Sequence, residues 1–144
     1  MEHKNAEDYA LLAMAQIFSM RFKSIKSHFI AKSIEENLEK AEAIASENLR
    51  VWFVKGSKAH FLPKEFGGNE KAEEYLQKAL TLENQSTENT YLPTWGREEA
   101  HEALLRFYIK NKHWEKAKPQ FKKANEAYPK NMIIQRLGSN LRGK

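Results

Sequence analysis

The chain has 144 residues, of which 41% are hydrophobic and 30% charged, with six Gly, four Pro and no Cys. A chain of this length buries about 68–70% of the surface that its unfolded form exposes, which suffices for one core. The lack of Cys excludes disulfides and thiolate metal sites, and the composition is typical of one ordered, mainly helical domain over residues 1–144.

The net charge of +5 is unevenly distributed. Residues 98–144 contain 11 Lys/Arg and 5 Asp/Glu, a net charge of +6, so the remainder carries −1. Three interpretations stay open for this basic third: solvated helix faces, an acidic protein partner, or nucleic acid bound through its phosphates. The cations are Lys110, Lys112, Lys116, Lys118, Lys122, Lys123, Lys130, Arg136, Arg142 and Lys144, together with Arg106.

Helical periodicity recurs along the chain, whereas no segment alternates convincingly as a strand does. The spacing of apolar residues predicts helices over about 6–24, 29–46 and 48–62. The longest apolar run, from Tyr9 to Met20, is far shorter than the ~20 residues of a membrane span. Because the N-terminus also lacks a signal-peptide pattern, we expect a soluble, cytoplasmic protein without membrane insertion, or a periplasmic one if a signal peptide was removed.

A break over 63–69 precedes a fourth predicted helix at about 69–82, which Asn69 is expected to cap. Polar residues 83–94 predict a loop, with Thr94 capping a fifth helix at about 95–111. A sixth helix at about 113–128 and a short final helix at about 131–140 follow. Pro119 lies inside the sixth helix, so that helix either begins late or kinks there, and its unbroken helical phase favours the kink.

The spacing of small and large residues repeats between the predicted helices. One set of three residues in the fourth helix recurs 45 residues later in the sixth, and the second helix shows the same 4-then-3 step. Such self-similar helical pairs predict an αα-solenoid, in which hairpins stack because none can bury its apolar face alone. The two aligned sets are Ala72, Leu76, Ala79 and Ala117, Phe121, Ala124.

The third hairpin resembles the tetratricopeptide repeat, a 34-residue helical pair. It matches that pattern at Leu104, Tyr108, Ala117, Phe121, Ala124 and Pro129 and departs from it at His101 and Leu105. The second hairpin matches at Trp52 and Gly56 and then, after an insertion, at Ala72, Leu76 and Ala79, with Asn84 at the closing Pro position.

A second set of segments is similar to a group of bacterial tetratricopeptide-containing proteins of unassigned role that are often exported. These segments are 48–51, 66–68 and 93–96. If that similarity holds, it implies that this chain is the C-terminal part of a longer protein.

The resemblance implies an all-α, right-handed αα-solenoid of about three hairpins, near 6–46, 48–84 and 95–129, with a C-terminal capping helix. It also implies a concave groove lined by the first helix of each hairpin. Exposed Phe53 and Phe61 would suit peptide anchoring there, but both could instead be core residues covered by the N-terminal helix. The implied groove residues are Arg50, Phe53, Ser57, His60, Phe61, Glu99, Glu102, Arg106, Ile109 and Lys110.

Motifs for catalysis or metal binding are missing from the sequence. The five histidines form no pair at helical metal-binding spacing, and there is no Walker loop and no Gly-x-Ser-x-Gly nucleophile motif. Paired glutamates on amphipathic helices are usually solvated or face a helix N-terminus. We therefore expect no enzyme, no cofactor and no metal.

The sequence favours a non-catalytic interaction module that holds a protein or peptide, with an acidic partner as one option, in the groove. The first alternative is a structural domain that assembles into homo-oligomers or belongs to a larger exported protein. A third is weak nucleic-acid binding through the basic C-terminal third, which we expect less than a protein partner.

Overall fold

The computed structural model of the chain describes residues 4–20, 26–83 and 94–144. Within these ranges every regular element is helical, which confirms the all-α prediction. The helices are α1 (Ala6–Ser19), α2 (Ser27–Ile44), α3 (Leu49–Phe61), α4 (Ala72–Thr81), α5 (Arg97–Lys110), α6 (Trp114–Ala127) and α7 (Met132–Ser139), with a 3-10 turn at Lys64–Phe66. The predicted end of the first helix at 24, most of the loop over 83–94 and the position of Asn84 lie outside the described residues.

Asparagine side chains cap three of these helices at their N-termini. The Oδ1 atoms of Asn5 and Asn131 accept backbone N–H groups three residues ahead, at 2.9 and 2.8 Å, at the starts of α1 and α7. Asn48 accepts the N–H two residues ahead, at 2.9 Å, at the start of α3. Each cap satisfies a backbone donor that the helix leaves free, so local sequence fixes these three starts.

Two predicted caps are wrong. Asn69 does not cap α4, because its Oδ1 accepts the N–H of Lys71 at 2.9 Å within a turn, and the helix begins only at Ala72. Thr94 does not cap α5, because Gly96 occupies that position with a φ of 120°. The carboxylate of Glu99 accepts the Gly96 N–H at 2.8 Å, which supplies the cap from inside the helix instead.

Helix contacts follow one rule along the chain. The odd-numbered helices contact one another in succession, α1 with α3, α3 with α5, and α5 with α7. Each even-numbered helix contacts the two odd-numbered helices that flank it in sequence. The helices therefore form two layers in which α3 is central and contacts α1, α2, α4 and α5.

Small residues bring α3 close to its neighbour α4. A Cβ built on Gly56 would lie 2.6 Å from the side chain of Leu76, a distance that only a displacement of Leu76 could relieve. Leu76 is fully buried and belongs to the main core cluster with Ala79. The lack of a side chain at Gly56 thus sets how closely this helical pair packs.

Helices α6 and α7 close the C-terminal end. Helix α6 is continuous from Trp114, which places Pro119 in its second turn and rules out the late start, whereas the kink stays a prediction. Ile134 and Leu137 of α7 are buried, and a Cβ on Gly138 would lie 2.3 Å from the ring of Phe121.

Candidate functional site

The predicted groove face of α3 divides into a buried half and an accessible half. Arg50, Phe53 and Ser57 are 1%, 3% and 0% exposed. The prediction that these three line an accessible groove therefore needs correction. His60 is partly buried and Phe61 is 48% exposed, so only the last turn of the helix presents this face to solvent.

Arg50 is buried because two neighbouring segments supply its partners. Its Nε and Nη2 atoms donate to the Glu7 carboxylate of α1 at 2.5 and 2.7 Å, and its Nη1 donates to the carbonyl oxygen of Trp95 at 3.0 Å. Asn48 Nδ2 donates to the same carboxylate at 2.6 Å. This buried ion pair joins α1, α3 and the segment before α5, so Arg50 serves the fold and not a groove.

Phe53 is a core residue. Its ring lies 6.0 Å from the Trp95 ring, centroid to centroid, and it belongs to the same core cluster as Ala13 of α1. One turn further, the Ser57 hydroxyl is buried and makes no hydrogen bond to any described residue. Neither side chain can contact a partner without opening the stack.

An apolar pocket of about 210 Å³ lies beside the accessible half of α3. It is smaller than pockets for drug-sized ligands, but a cavity of about 150 Å³ already holds a benzene ring. The pocket therefore suits one large apolar side chain. We call it the anchor pocket, and its lining residues are Met14, Ile17, Phe18, Met20, Ser27, Phe61, Leu62, Pro63 and Phe66.

A polar cleft of about 530 Å³ lies on the other side of the last turn of α3, between the ends of α4 and α5. Leu62 lines both the cleft and the anchor pocket. The His60 ring bridges them, since its centroid lies 4.5 Å from that of Phe61 and 5.9 Å from that of Phe107. The other lining residues include Lys64, Asn69, Glu70, Glu73, Lys110, Asn111 and His113.

The electrostatics at His60 show which charges surround the cleft. Burial first, then the positive charges of Lys110 and Arg106, lower the pKa of His60 from 6.5 to about 4. His60 is thus neutral at pH 7, and two cations lie close enough to oppose its protonation. Lys64 lines the same cleft. We call Lys64, Arg106 and Lys110 the cationic rim.

The predicted groove residues on α5 also divide into accessible residues and residues that serve the fold. Arg106 and Lys110 are exposed and belong to the cationic rim, whereas Ile109 is half-buried at the edge of the core. Glu102 accepts a hydrogen bond from Asn131 Nδ2 at 2.8 Å and so helps to attach α7. The structure therefore brings together four of the predicted residues, namely His60, Phe61, Arg106 and Lys110.

Sequence reasoning missed the α1 side of this surface. Met14 and Phe18 line the anchor pocket, and Phe18 is 49% exposed. The available signal was the spacing of Leu11, Met14 and Phe18 at i, i+3 and i+7, which places three apolar residues on one face of α1. That face is distinct from the one buried through Ala10, Ala13 and Ile17.

A second polar network ties α4, α5 and α6 together. The Tyr108 hydroxyl donates to Glu73 Oε1 at 3.0 Å, and Lys116 Nζ donates to the same oxygen at 2.8 Å. Burial and the Glu73 carboxylate raise the pKa of Tyr108 to about 12. This network holds the far wall of the cleft, so the pair Glu73–Glu74 is not simply a solvated face.

Among the described residues, no three His, Cys, Asp or Glu side chains gather in a way that could hold a metal ion. No helix in that part of the chain is long and apolar enough to cross a bilayer. In comparisons with protein-family models, with curated proteins and with solved structures, none matches this chain. Its function must therefore be inferred from the geometry of this surface.

Proposed function

We propose that this chain is a non-catalytic interaction module that binds a peptide or partner helix at the last turn of α3. The observation that carries the proposal is the adjacency of the anchor pocket and the cleft, which are joined by half-exposed Phe61 and by His60. A concave apolar site with a few polar groups nearby is the usual form of a recognition site. Phe61 stands at the mouth of the anchor pocket, where partner contacts concentrate binding energy.

The helix contacts support a tetratricopeptide-like reading of the scaffold. In that reading, α1, α3 and α5 line the inner layer and α2, α4 and α6 the outer layer of a right-handed αα-solenoid, with α7 capping the end. Contacts between successive odd-numbered helices, and between each even-numbered helix and its two neighbours, are those that stacked hairpins require. In that reading, Glu7 and Trp95 cover the groove over the first turns of α3, and the binding surface is the part that stays open at the last turn.

The charged side chains near the surface favour binding over catalysis. Glu73 is engaged by Tyr108 and Lys116, and His60 lies between two aromatic rings. These contacts hold the side chains as walls of a cleft, which is the role that an interaction module needs.

The proposal can be tested by panning a random peptide library displayed on phage against the folded protein. We expect peptides that bind the wild type and a Phe29→Ala variant but not Phe61→Ala. Phe29 is the matched control because it is 83% exposed and does not line the anchor pocket. Circular dichroism should show unchanged helicity in both variants. Failure to enrich any peptide, or equal retention by Phe61→Ala, would contradict the proposal.

A further inference from the structure

The surface at the last turn of α3 is polarised in its chemistry. On the α1 side, Met14, Phe18 and Phe61 line the anchor pocket with apolar groups. On the α5 side, Lys110 lines the cleft, and Arg106 lies near enough to act on His60. A ligand that spans the last turn of α3 therefore meets an apolar environment at one end and positive charge at the other.

The cationic rim is not neutralised within the described part of the chain. Six ion pairs join described side chains, and none includes Lys64, Arg106 or Lys110. Two carboxylates line the same cleft, Glu70 and Glu73. Glu73 is already paired with Lys116 at 2.8 Å, so its charge is compensated locally. The rim thus keeps a net positive charge that a ligand can neutralise.

We propose that the partner of this surface is an acidic peptide segment, which places one large apolar side chain in the anchor pocket and carboxylates against the cationic rim. This inference rests on the proposed function and adds the chemistry of the ligand. The volume of the anchor pocket fixes one side chain rather than several, because about 210 Å³ holds little more than a single ring. The positive charge of the cationic rim requires negative charges on the ligand beside that apolar side chain.

Phosphate groups would also satisfy the cationic rim, so nucleic acid is the main competitor. The anchor pocket argues against it, because Ser27 is the only one of its nine described lining residues that has a polar side chain. Base edges carry donors and acceptors that an apolar wall leaves unpaired. A peptide with Phe, Leu or Met beside Asp or Glu has the complementary pattern.

The composition of the selected phage peptides tests the inference separately from the proposed function. Among peptides whose binding requires Phe61, we expect a large apolar residue flanked by Asp or Glu within three positions. If those peptides show no excess of acidic residues, the inference is wrong and the proposed function stands. If no peptide depends on Phe61, both are wrong. Both outcomes come from the same selection, so each proposal is decided.

Neutralising the acidic residues of the tightest selected peptide measures how much they contribute to its affinity. Replacing its Asp and Glu by Asn and Gln should weaken binding to the wild type about tenfold at low salt, as expected for two or three exposed charge contacts. The variant Arg106→Gln/Lys110→Gln should lose most of this preference, because only Lys64 of the rim keeps its charge. The matched control Lys122→Gln/Lys123→Gln removes the same charge from α6 and should keep the tenfold preference. Loss of that preference in the control would overturn the inference.

An NMR titration provides a local readout. An acidic ligand at the rim should raise the pKa of His60 above its free value of about 4, because carboxylates offset the charges of Arg106 and Lys110. His101 is the internal control, since its pKa is also about 4 but it lies buried against Gln120. A single-stranded oligonucleotide, dT12, should not displace the peptide. An unchanged His60 or displacement by dT12 would overturn the inference.

Discussion

The two halves of the predicted groove face of α3 have the same helical geometry and opposite environments. Over the first two turns, Arg50 and Phe53 are covered by Glu7 from α1 and Trp95 from the segment before α5. At the last turn, His60 and Phe61 border a pocket and a cleft. The difference shows that accessibility on this face is decided by the neighbouring hairpins and not by α3 itself.

The largest difference in stability should appear when one aromatic ring from each half of this face is truncated to Ala. Phe53→Ala should lower the free energy of unfolding by about 3–5 kcal/mol, because a buried Phe leaves a cavity. Phe61→Ala should cost less than about 1 kcal/mol, since its ring is half-exposed and its neighbourhood already open. Urea unfolding of both variants measures the contrast. Similar losses for the two would mean that the division of α3 is not as described.

Breaking the ion pair that closes the buried half should have the next largest effect. Glu7→Gln leaves the Arg50 guanidinium buried without its counter-charge, which should cost about 3 kcal/mol. The double variant Glu7→Gln/Arg50→Met should recover part of this loss. Glu42→Gln is the matched control, because the Lys55–Glu42 pair is more exposed and should contribute less than about 1 kcal/mol. Equal losses for Glu7→Gln and Glu42→Gln would argue against a closing role.

The pH dependence of stability tests the burial of two histidines, His60 in the last turn of α3 and His101 in α5. Burial first, then the charges of Arg97 and Lys123, lower the pKa of His101 from 6.5 to about 4. Between those values the unfolded chain binds a proton that the folded chain does not. The contribution of His101 should therefore be complete above about pH 6.5 and fall as the pH drops towards 4, by up to about 1.4 kcal/mol per unit.

The control for this pH dependence is His101→Gln, which should remove about half of the fall below pH 6.5. His60→Gln should remove a similar share, because burial and the charges of Lys110 and Arg106 lower its pKa to about 4 as well. Unfolding midpoints in urea at pH 7, 6, 5 and 4.5 give the slopes. A steeper slope in either variant than in the wild type would contradict the assignment.

The smallest effect tests the unpaired hydroxyl in the buried half. Ser57→Ala should raise stability by about 0.5–1 kcal/mol, because it removes a buried polar group without a hydrogen-bond partner in the described part of the chain. Ser33→Ala is the matched control, since the Ser33 hydroxyl accepts from Gln16 at 2.8 Å and its loss should destabilise the chain by a similar amount. Thermal unfolding compares the two, and a destabilised Ser57→Ala would show that the hydroxyl has a partner.

The sequence predicted the helices well because their signals are local. Apolar spacing of three and four residues located both ends of six helices within about three residues, whereas α1 ends at Ser19 instead of the predicted residue 24. Two caps were misassigned for local reasons too. Gly96 adopts a positive φ that favours glycine over other residues, and Asn69 can stabilise a turn as readily as a helix start.

The surface was harder to predict because its residues are distant in sequence. The charge of Arg50 predicts an exposed side chain, but an ion pair with Glu7, 43 residues earlier, allows it to be buried. Phe53 and Phe61 occupy similar positions on the helix, but Phe53 packs against Trp95 and belongs to the core cluster that includes Ala13. The anchor pocket joins segments near residues 14–20, 27 and 61–66, a juxtaposition that helical periodicity does not encode.

The contacts of Arg50 also set the smallest unit of this chain that can fold. Glu7, Arg50 and Trp95 come from three successive helical pairs, or from the segments that lead into them. Arrays of stacked helical pairs often tolerate the removal of a terminal pair, because each contacts only its neighbours. Here a fragment without α1 would leave the Arg50 guanidinium without its carboxylate partner. A fragment ending before Trp95 would expose the Phe53 ring. A folding unit of this chain should therefore include everything from α1 to Trp95, although the architecture looks modular.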